Sequence, residues 1–233
     1  MGNWQKVGGF AAVFEAFAYI VGFSFMLAVL QPALQAHSTP VQQLGQILGM
    51  TALVKSWNVI IYILFGAALV PLVVALHARL SDGAPFLMRC ATAFGLIWSG
   101  LVIATGMISN VGLGVVGRMF VDNPNEATLV WQTLNAAQEG LGGGVELVGG
   151  LWVLLVSGGA LRLNALPKLL NYVGVVTGIC GILTVLPPLA DAGAVFGLGQ
   201  IVWFAWLGMV MLSRAEHRVA AFYKQPSNFD TDG

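Results

Sequence analysis

Six long apolar runs constrain the fold of this 233-residue chain more than any other feature of its sequence. They occupy residues 7–30, 57–76, 90–117, 141–161, 169–187 and 194–213. About 20 apolar residues in an α-helix cross the hydrocarbon core of a bilayer. Charged residues make up only 9% of the chain, against about 25% in soluble domains. The sequence therefore predicts an all-α polytopic membrane protein with six transmembrane helices.

Basic residues occur on alternate connections between these runs. The N-terminus, the second and fourth loops and the C-terminal tail hold Lys6, Arg79, Arg89, Arg162, Lys168, Arg214, Arg218 and Lys224. The other loops hold only Arg118, and Lys55 lies at a helix mouth. Lys and Arg accumulate on the cytoplasmic side of short loops. We therefore expect both termini in the cytoplasm, a transmembrane domain over residues 1–213 and a cytoplasmic tail over residues 214–233.

Several function classes are disfavoured by composition and by the absence of motifs. The formal net charge is zero, which removes the electrostatic basis for binding nucleic acid. Residues His37, His77 and His217 lie too far apart to converge with each other or with Cys90 and Cys180, so we expect no metal site and no cofactor. The chain has no phosphate loop, dinucleotide fingerprint or serine elbow. No residue is therefore assigned a catalytic role.

Two carboxylates, Glu15 and Glu146, stand inside the apolar runs. At helical spacing Glu146 shares a face with Glu139, Gly143 and Gly150, and Glu15 shares one with Gly8, Ala11, Ala18 and Gly22. Small residues let membrane helices approach closely, so both acids are expected to face protein rather than lipid. An ionised group in hydrocarbon costs at least ~2.5 kcal/mol on insertion scales. Each acid should therefore have a partner or a role.

Four other polar residues share the predicted membrane depth of Glu146. They are Lys55, Asn58, Asn110 and Gln200. The sequence predicts an ion pair between Lys55 and Glu146, in a polar pocket open to the outer face. One interpretation is a binding site for a small polar or amphipathic molecule. The other is a set of hydrogen bonds, each worth roughly 0.5–2 kcal/mol, that fixes helix packing.

The other intramembrane acid, Glu15, lies deeper than this group. Its position along the first helix puts it roughly 10–15 Å from Glu146 along the membrane normal at ~1.5 Å per residue, so the two acids do not form a catalytic pair. Two interpretations of Glu15 stay open. It is a protonated acid bonded to a neighbouring helix, or it has a proton-coupled role.

Outside these polar groups, the pattern predicts two further features. Residues 118–140 read as a turn and a short helix with Asn125 as its N-cap. Two tryptophans, Trp203 and Trp206, lie in the middle of the last span, where core packing is favoured over the lining of a pocket.

Five segments carry a resemblance to a known family. They are KVGGFAAVFEAFAYIVGF, LHARL, ELVGGLWVLLVSG, LPKLLNYVGVVTGICGIL and WFAWLG. Over residues 4–213 the chain resembles a family of bacterial six-helix membrane proteins that is catalogued as a domain of unknown function. The resemblance implies six helices and the bacterial inner membrane. It implies no activity and no catalytic residues.

Three functions stay open at this point. The protein binds a small molecule or lipid through the outer pocket, serves as an accessory subunit or homo-oligomer in a larger membrane complex, or is an intramembrane enzyme acting on a lipid or isoprenoid. The first two are favoured, because no second acid, histidine or metal ligand lies at a depth that matches either carboxylate. The bilayer is the one partner that all three functions require.

Overall fold

The computed structural model describes residues 2–35 and 39–223, and the regular structure in these ranges is entirely helical. The α-helices are α1 (Gly2–Phe25), α2 (Gln31–Gln35), α3 (Pro40–Gly49), α4 (Thr51–Asn58), α5 (Phe65–Leu80), α6 (Pro85–Asp122), α7 (Pro124–Gln138), α8 (Leu147–Leu163), α9 (Lys168–Leu183) and α10 (Ala192–Tyr223). Three π-helical segments, Met26–Leu30, Val59–Leu64 and Glu139–Gly143, interrupt them, and a 3-10 turn, Pro187–Leu189, precedes α10. The predictions for His37 and for residues 224–233 lie outside the described residues.

Most of these helices are apolar enough and long enough to cross a membrane. In the described part of the chain, five such helical stretches are Asn3–Gln35, Thr51–Leu80, Pro85–Asp122, Pro124–Leu163 and Ala192–Ser213. The remaining apolar helix, α9, has 16 residues. Large apolar side chains such as Phe10, Phe17 and Leu198 are exposed on the outside, where lipid rather than water is the favourable solvent. The prediction of an all-α membrane protein is confirmed at this level.

Six of the helices form a closed ring. Around the ring, α1 packs against α5, α5 against α6, α6 against α8, α8 against α9, α9 against α10, and α10 against α1. Neighbours run antiparallel. Along the contact between α1 and α10, Gly9 lies against Leu212 while Phe23 lies against Gly197. The first and last helices of the chain are therefore direct neighbours.

The centre of the ring is filled by aromatic side chains. Trp152 lies between Trp98 and Trp203, with ring centroids 5.7 Å and 5.6 Å apart, and Phe204 lies 5.3 Å from Trp203. Tilted and edge-to-face arrangements of this kind are the favourable ones for aromatic pairs. Trp203 is fully buried, and Trp206 is partly buried against the same core. Core packing of these two tryptophans is confirmed.

Helices α8 and α9 approach more closely than ordinary side chains allow. A Cβ placed on Gly150 would lie 2.6 Å from the carbonyl oxygen of Gly178, and one placed on Gly178 would lie 2.7 Å from that of Gly150. Real Cβ contacts do not reach such distances. The two backbones therefore touch directly, as glycine permits between membrane helices.

One end of the ring gathers the N-terminus and two basic connections, and we call it the basic end. The Arg79 guanidinium donates to Gln5 Oε1 at 3.1 Å and to the carbonyl of Ala165 at 3.3 Å. Gln5 Nε2 donates to the carbonyl of Ala75 at 3.1 Å. These bonds join the start of α1, the end of α5 and the loop between α8 and α9.

The opposite end carries α3 and α7, and we call it the α7 end. Helix α6 has 38 residues, or about 57 Å at 1.5 Å per residue, so it extends beyond a hydrocarbon core of about 30 Å. Both α3 and α7 pack against it. The N-cap of α7 is Asn123, whose side chain accepts from the N–H of Glu126 at 3.3 Å. The prediction of Asn125 was wrong, because Pro124 takes the first helical position, which proline favours.

Candidate functional site

A cavity of about 190 Å³ opens between α1, the second π segment, α6 and the start of α8. Six aromatic residues line it, and we call it the aromatic cavity. They are Tyr19, Phe23, Trp57, Tyr62, Phe65 and Trp98. Its mouth lies towards the α7 end, where the lining residues Met26 and Gly143 are exposed. Glu146 lines the cavity and is half-buried.

Two π segments and the kinked segment Glu139–Gly143 contribute to this cavity. The first π segment supplies Met26, the second supplies Ile61 and Tyr62, and the kinked segment, in which Gly142 leaves the helix, supplies Gly142 and Gly143. A π turn is rare, well under 1% of residues in globular proteins, and it occurs frequently at functional sites because it shifts the register of the helix. Three irregular turns therefore meet at one place in the fold.

The start of α8 is a break rather than a continuous helix. Gly142 has φ +117°, a conformation that glycine adopts without the steric cost of a side chain. Residues 144–146 are not helical, and α8 begins at Leu147. The single helical face predicted over residues 139–150 was therefore wrong. The same glycines that permit close helix packing also permit the chain to leave the helix.

Glu146 is held by its backbone, and its carboxylate is not used to cap the helix. It occupies the N-cap position of α8 without a side-chain cap bond. Its N–H donates to Thr184 Oγ1 at 2.8 Å, and that hydroxyl donates to the carbonyl of Gly181 at 2.6 Å. The end of α9 therefore positions the start of α8, and the carboxyl group remains at the cavity wall.

Three of the polar residues predicted to share a pocket form a hydrogen-bonded network between α4 and α6. Asn58 Nδ2 donates to Asn110 Oδ1 at 3.0 Å and to Ser109 Oγ at 2.8 Å. Asn110 Nδ2 donates to the carbonyl of Lys55 at 3.2 Å. Ser109 is a member that the sequence interpretation did not include. None of these four residues lines the aromatic cavity.

The structure separates Lys55 from Glu146. The Lys55 ammonium lies on the α6 side, 3.6 Å from where a Cβ on Gly114 would stand. Glu146 instead lines the cavity beside α1. Among the residues described, no ion pair joins the two. A common depth in the membrane does not bring residues together when they face different helices of the ring.

Gln200 and Glu15 are buried apart from the aromatic cavity. Both are fully inaccessible, and neither lines the cavity. Within residues 2–35 and 39–223 neither carboxylate oxygen of Glu15 has a hydrogen-bond partner, and the same holds for both amide atoms of Gln200. Buried polar groups of this kind usually bond to protein or to ordered water. Of the predicted residues, Glu146 is the one that lines the aromatic cavity, and the others lie elsewhere in the described part of the chain.

The described ranges contain no group of three His, Cys, Asp or Glu residues that could hold a metal ion. Cys90 and Cys180 are free thiols, both half-buried. The chemistry available at the cavity is therefore that of aromatic faces, tyrosine hydroxyls and one carboxyl group.

The sequence interpretation missed the aromatic lining. Tyr19, Trp57 and Trp98 come from three different helices, and nothing in their spacing along the chain links them. The available signal was their position, since each lies in an apolar run, Tyr19 and Trp98 with glycine close by. Comparison with known proteins gives no relative that would add to this geometry: no family model, no curated protein and no solved structure gives a significant match to the chain.

Proposed function

We propose that this protein binds a small amphipathic molecule in the aromatic cavity. The observation that carries the proposal is the convergence of two π segments and the kink at Gly142 on a cavity that holds one half-buried carboxyl group, Glu146. Ligand sites are typically concave and mostly apolar, with a few placed polar groups. An engineered cavity of about 150 Å³ holds benzene. The aromatic cavity, at about 190 Å³, therefore suits a ring or a short branched chain that carries a polar head.

The proposal includes six membrane crossings with both termini in the cytoplasm. Helix α9 closes the ring between α8 and α10, so it shares their membrane depth although it spans only about 24 Å at 1.5 Å per residue. The basic end holds Arg79 and the neighbouring connections, which favours a cytoplasmic position. The mouth of the cavity then faces outward. Resemblance to the bacterial six-helix family, and with it the inner membrane, stays a prediction.

A cavity-filling variant tests this proposal. Gly22 lines the cavity, and a Cβ placed there would lie 3.5 Å from Ile61 Cγ2, an ordinary contact. In Gly22→Leu the backbone therefore keeps its position, and the outer atoms of the leucine side chain fill the cavity. Gly100→Leu is the matched control, since Gly100 is exposed and a Cβ there meets nothing within 4 Å.

The measurement is native mass spectrometry of the protein extracted with its own membrane lipids. We expect a small-molecule mass above that of the bare chain in the wild type and in Gly100→Leu, and its loss in Gly22→Leu. An added mass that persists in Gly22→Leu would contradict the aromatic cavity as the binding site. Added masses of whole protein chains would support the accessory-subunit function instead. For the third function, a lipid- or isoprenoid-modifying enzyme, the cavity offers a single carboxyl group.

A further inference from the structure

We propose that the aromatic cavity selects an organic cation, namely a quaternary or protonated amine on an apolar body about the size of one ring. This inference names the ligand class of the proposed function and rests on it. Three features of the cavity support it: the aromatic faces of its walls, an acidic side chain with no basic one in the lining, and the lack of a competing cation.

The walls present aromatic faces in more than one direction. Tyr19 and Phe65 lie 5.4 Å apart with their rings at 82°, Phe65 and Trp98 5.5 Å apart at 74°, and Trp57 and Tyr62 6.4 Å apart at 68°. A cation within about 6 Å of a ring centroid is attracted by the negative face of the ring. Because the cavity is small, a group inside it lies close to several of these rings at once. Such aromatic enclosures are a known means of recognising quaternary ammonium groups.

The described lining of the cavity holds an acidic side chain and no basic one. Glu146 is the one carboxyl group among the lining residues, and in the described ranges no Lys, Arg or His lines the cavity. An anionic ligand would meet both this carboxyl group and the negative faces of the rings. A cationic ligand is attracted by both. Discrimination between the two therefore does not depend on any single hydrogen bond.

Within residues 2–35 and 39–213, no cationic side chain is paired with Glu146. Lys55, the nearest expected partner, lies on the α6 side, and its ammonium is not paired with Glu146 in the part of the chain that the structure describes. The carboxyl group makes no cap bond to α8. The N–H of Glu146 is already bonded to Thr184, so the position of the residue is fixed without use of its side chain. A half-buried acid in this setting is available to a positively charged ligand.

Three probes of similar size test the inference on the full chain in lipid nanodiscs. Benzylammonium, benzyl alcohol and benzoate share one ring and differ in the charge of the attached group. Isothermal titration gives each affinity, with empty nanodiscs titrated to remove partitioning into lipid. We expect benzylammonium to bind about tenfold more tightly than benzyl alcohol, a difference of about 1.4 kcal/mol, and benzoate not to bind measurably.

Two charge variants locate the effect. Glu146→Gln should reduce the benzylammonium affinity about tenfold, to the level of benzyl alcohol, while leaving the benzyl alcohol affinity unchanged. Glu139→Gln removes the same charge from an exposed residue that does not line the cavity, and should change neither affinity. Equal loss in both variants would show a general surface charge effect and overturn the inference.

A third variant keeps the test open if Glu146→Gln does not fold. Trp57→Leu removes one aromatic face and leaves the charge in place, so benzylammonium should lose affinity relative to benzyl alcohol. Equal binding of benzylammonium and benzyl alcohol in the wild type, both abolished by Gly22→Leu, would overturn cation selection and leave the proposed function standing. If no probe shows saturable binding that Gly22→Leu removes, and native mass spectra show only the bare chain, both cation selection and the proposed function are overturned.

Discussion

A single hydroxyl group links the end of one helix to the start of the next. Thr184 accepts from the N–H of Glu146 and donates to the carbonyl of Gly181. Its side chain is buried. Leaving a buried donor without a partner costs more free energy than the hydrogen bond itself contributes, because the donor has also lost its hydrogen bonds to water. Thr184 is therefore a positioning residue for the carboxyl group at the aromatic cavity.

Replacing this hydroxyl should lower both stability and ligand affinity. Thr184→Val keeps the shape and leaves the Glu146 N–H without a partner, so we expect a loss of about 1–3 kcal/mol. Thr184→Ser retains the hydroxyl and removes one buried methyl group, so it should lose about 0.8 kcal/mol or less. Thermal unfolding in detergent and benzylammonium titration measure the two effects. A Thr184→Val protein that melts and binds as the wild type does would show that the bond positions nothing.

The amide network between α4 and α6 should support stability without affecting binding. Asn58→Ala removes the donor to Ser109 and Asn110, and hydrogen bonds of this kind in membrane helices average about 0.6 kcal/mol with a maximum near 1.7. We expect a loss in that range by thermal unfolding. A double-mutant cycle with Asn110→Ala should show that the two effects are not additive.

The control for this network is Ser56→Ala, which removes an exposed hydroxyl bonded only within its own helix. It should leave stability unchanged. If Asn58→Ala abolished benzylammonium binding while the fold was preserved, the network would belong to the ligand site after all, and the separation described above would be incorrect.

At this scale the sequence predicts depth but not direction. Counting residues along each helix places Asn58 and Asn110 at one level, and they do bond to each other. The same count places Lys55 near Glu146, although the Lys55 ammonium lies beside Gly114 of α6 and Glu146 lines the aromatic cavity. Direction is lost because residues 144–146 leave the helix before α8 begins, so the direction of the Glu146 side chain does not follow from helical spacing.

Among the helices, the closest approach is that of α8 and α9, and its requirement for glycine can be tested. Gly150→Ala places a Cβ against backbone atoms of Gly178 and Ile182, at 2.6 Å and 2.8 Å, so the two helices have to separate. Overpacking of this kind typically costs about 1–3 kcal/mol. Thermal unfolding should show a clear drop in melting temperature.

Gly158→Ala is the matched change on the same helix. A Cβ there meets nothing within 4 Å, and alanine in place of glycine inside a helix stabilises by about 1 kcal/mol. We therefore expect the two variants to shift the melting temperature in opposite directions. Equal shifts would show that propensity, rather than contact between the two backbones, decides the effect.

Element boundaries were predicted well where apolar runs are uninterrupted and poorly where glycine accumulates. The second, third and sixth runs lie within the helical stretches Thr51–Leu80, Pro85–Asp122 and Ala192–Ser213. The fourth run begins before α8 does, since Gly142 takes a left-handed conformation. Glycine is compatible with both a helix and a break, so its presence in the sequence cannot distinguish between them. Contacts between distant helices decide the outcome.

For the whole molecule, the crossing of α9 is the decisive feature of the topology. Lys168 and Asp191 lie just before and after this part of the chain and are exposed. In a chain with Cys90 and Cys180 replaced by alanine, we expect Asp191→Cys to react with a membrane-impermeant maleimide on intact cells. Lys168→Cys should react only after the cells are permeabilised. The same side for both would mean that α9 does not cross.

Two further positions calibrate this labelling experiment. Asp82 lies exposed in the loop after α5, near the basic end, and Gln132 lies exposed on α7. Asp82→Cys should behave as Lys168→Cys does, and Gln132→Cys should behave as Asp191→Cys does. A reversed pattern at all four positions would still show six crossings, but with the basic end outside the cell. The positive-inside rule, which predicts the side of the basic end, would then be wrong for this protein.

The contact between α1 and α10 has a consequence for how the protein is made. Gly9 and Gly208 let these two helices touch, yet α1 leaves the ribosome before the other helices of the ring and α10 leaves it after them. At about 5–20 residues per second, roughly ten to forty seconds separate their synthesis. Throughout that interval the face of α1 that later packs against α10 has no permanent neighbour, and Glu15 is not yet enclosed. The ring can therefore close around Glu15 only after α10 has been synthesised.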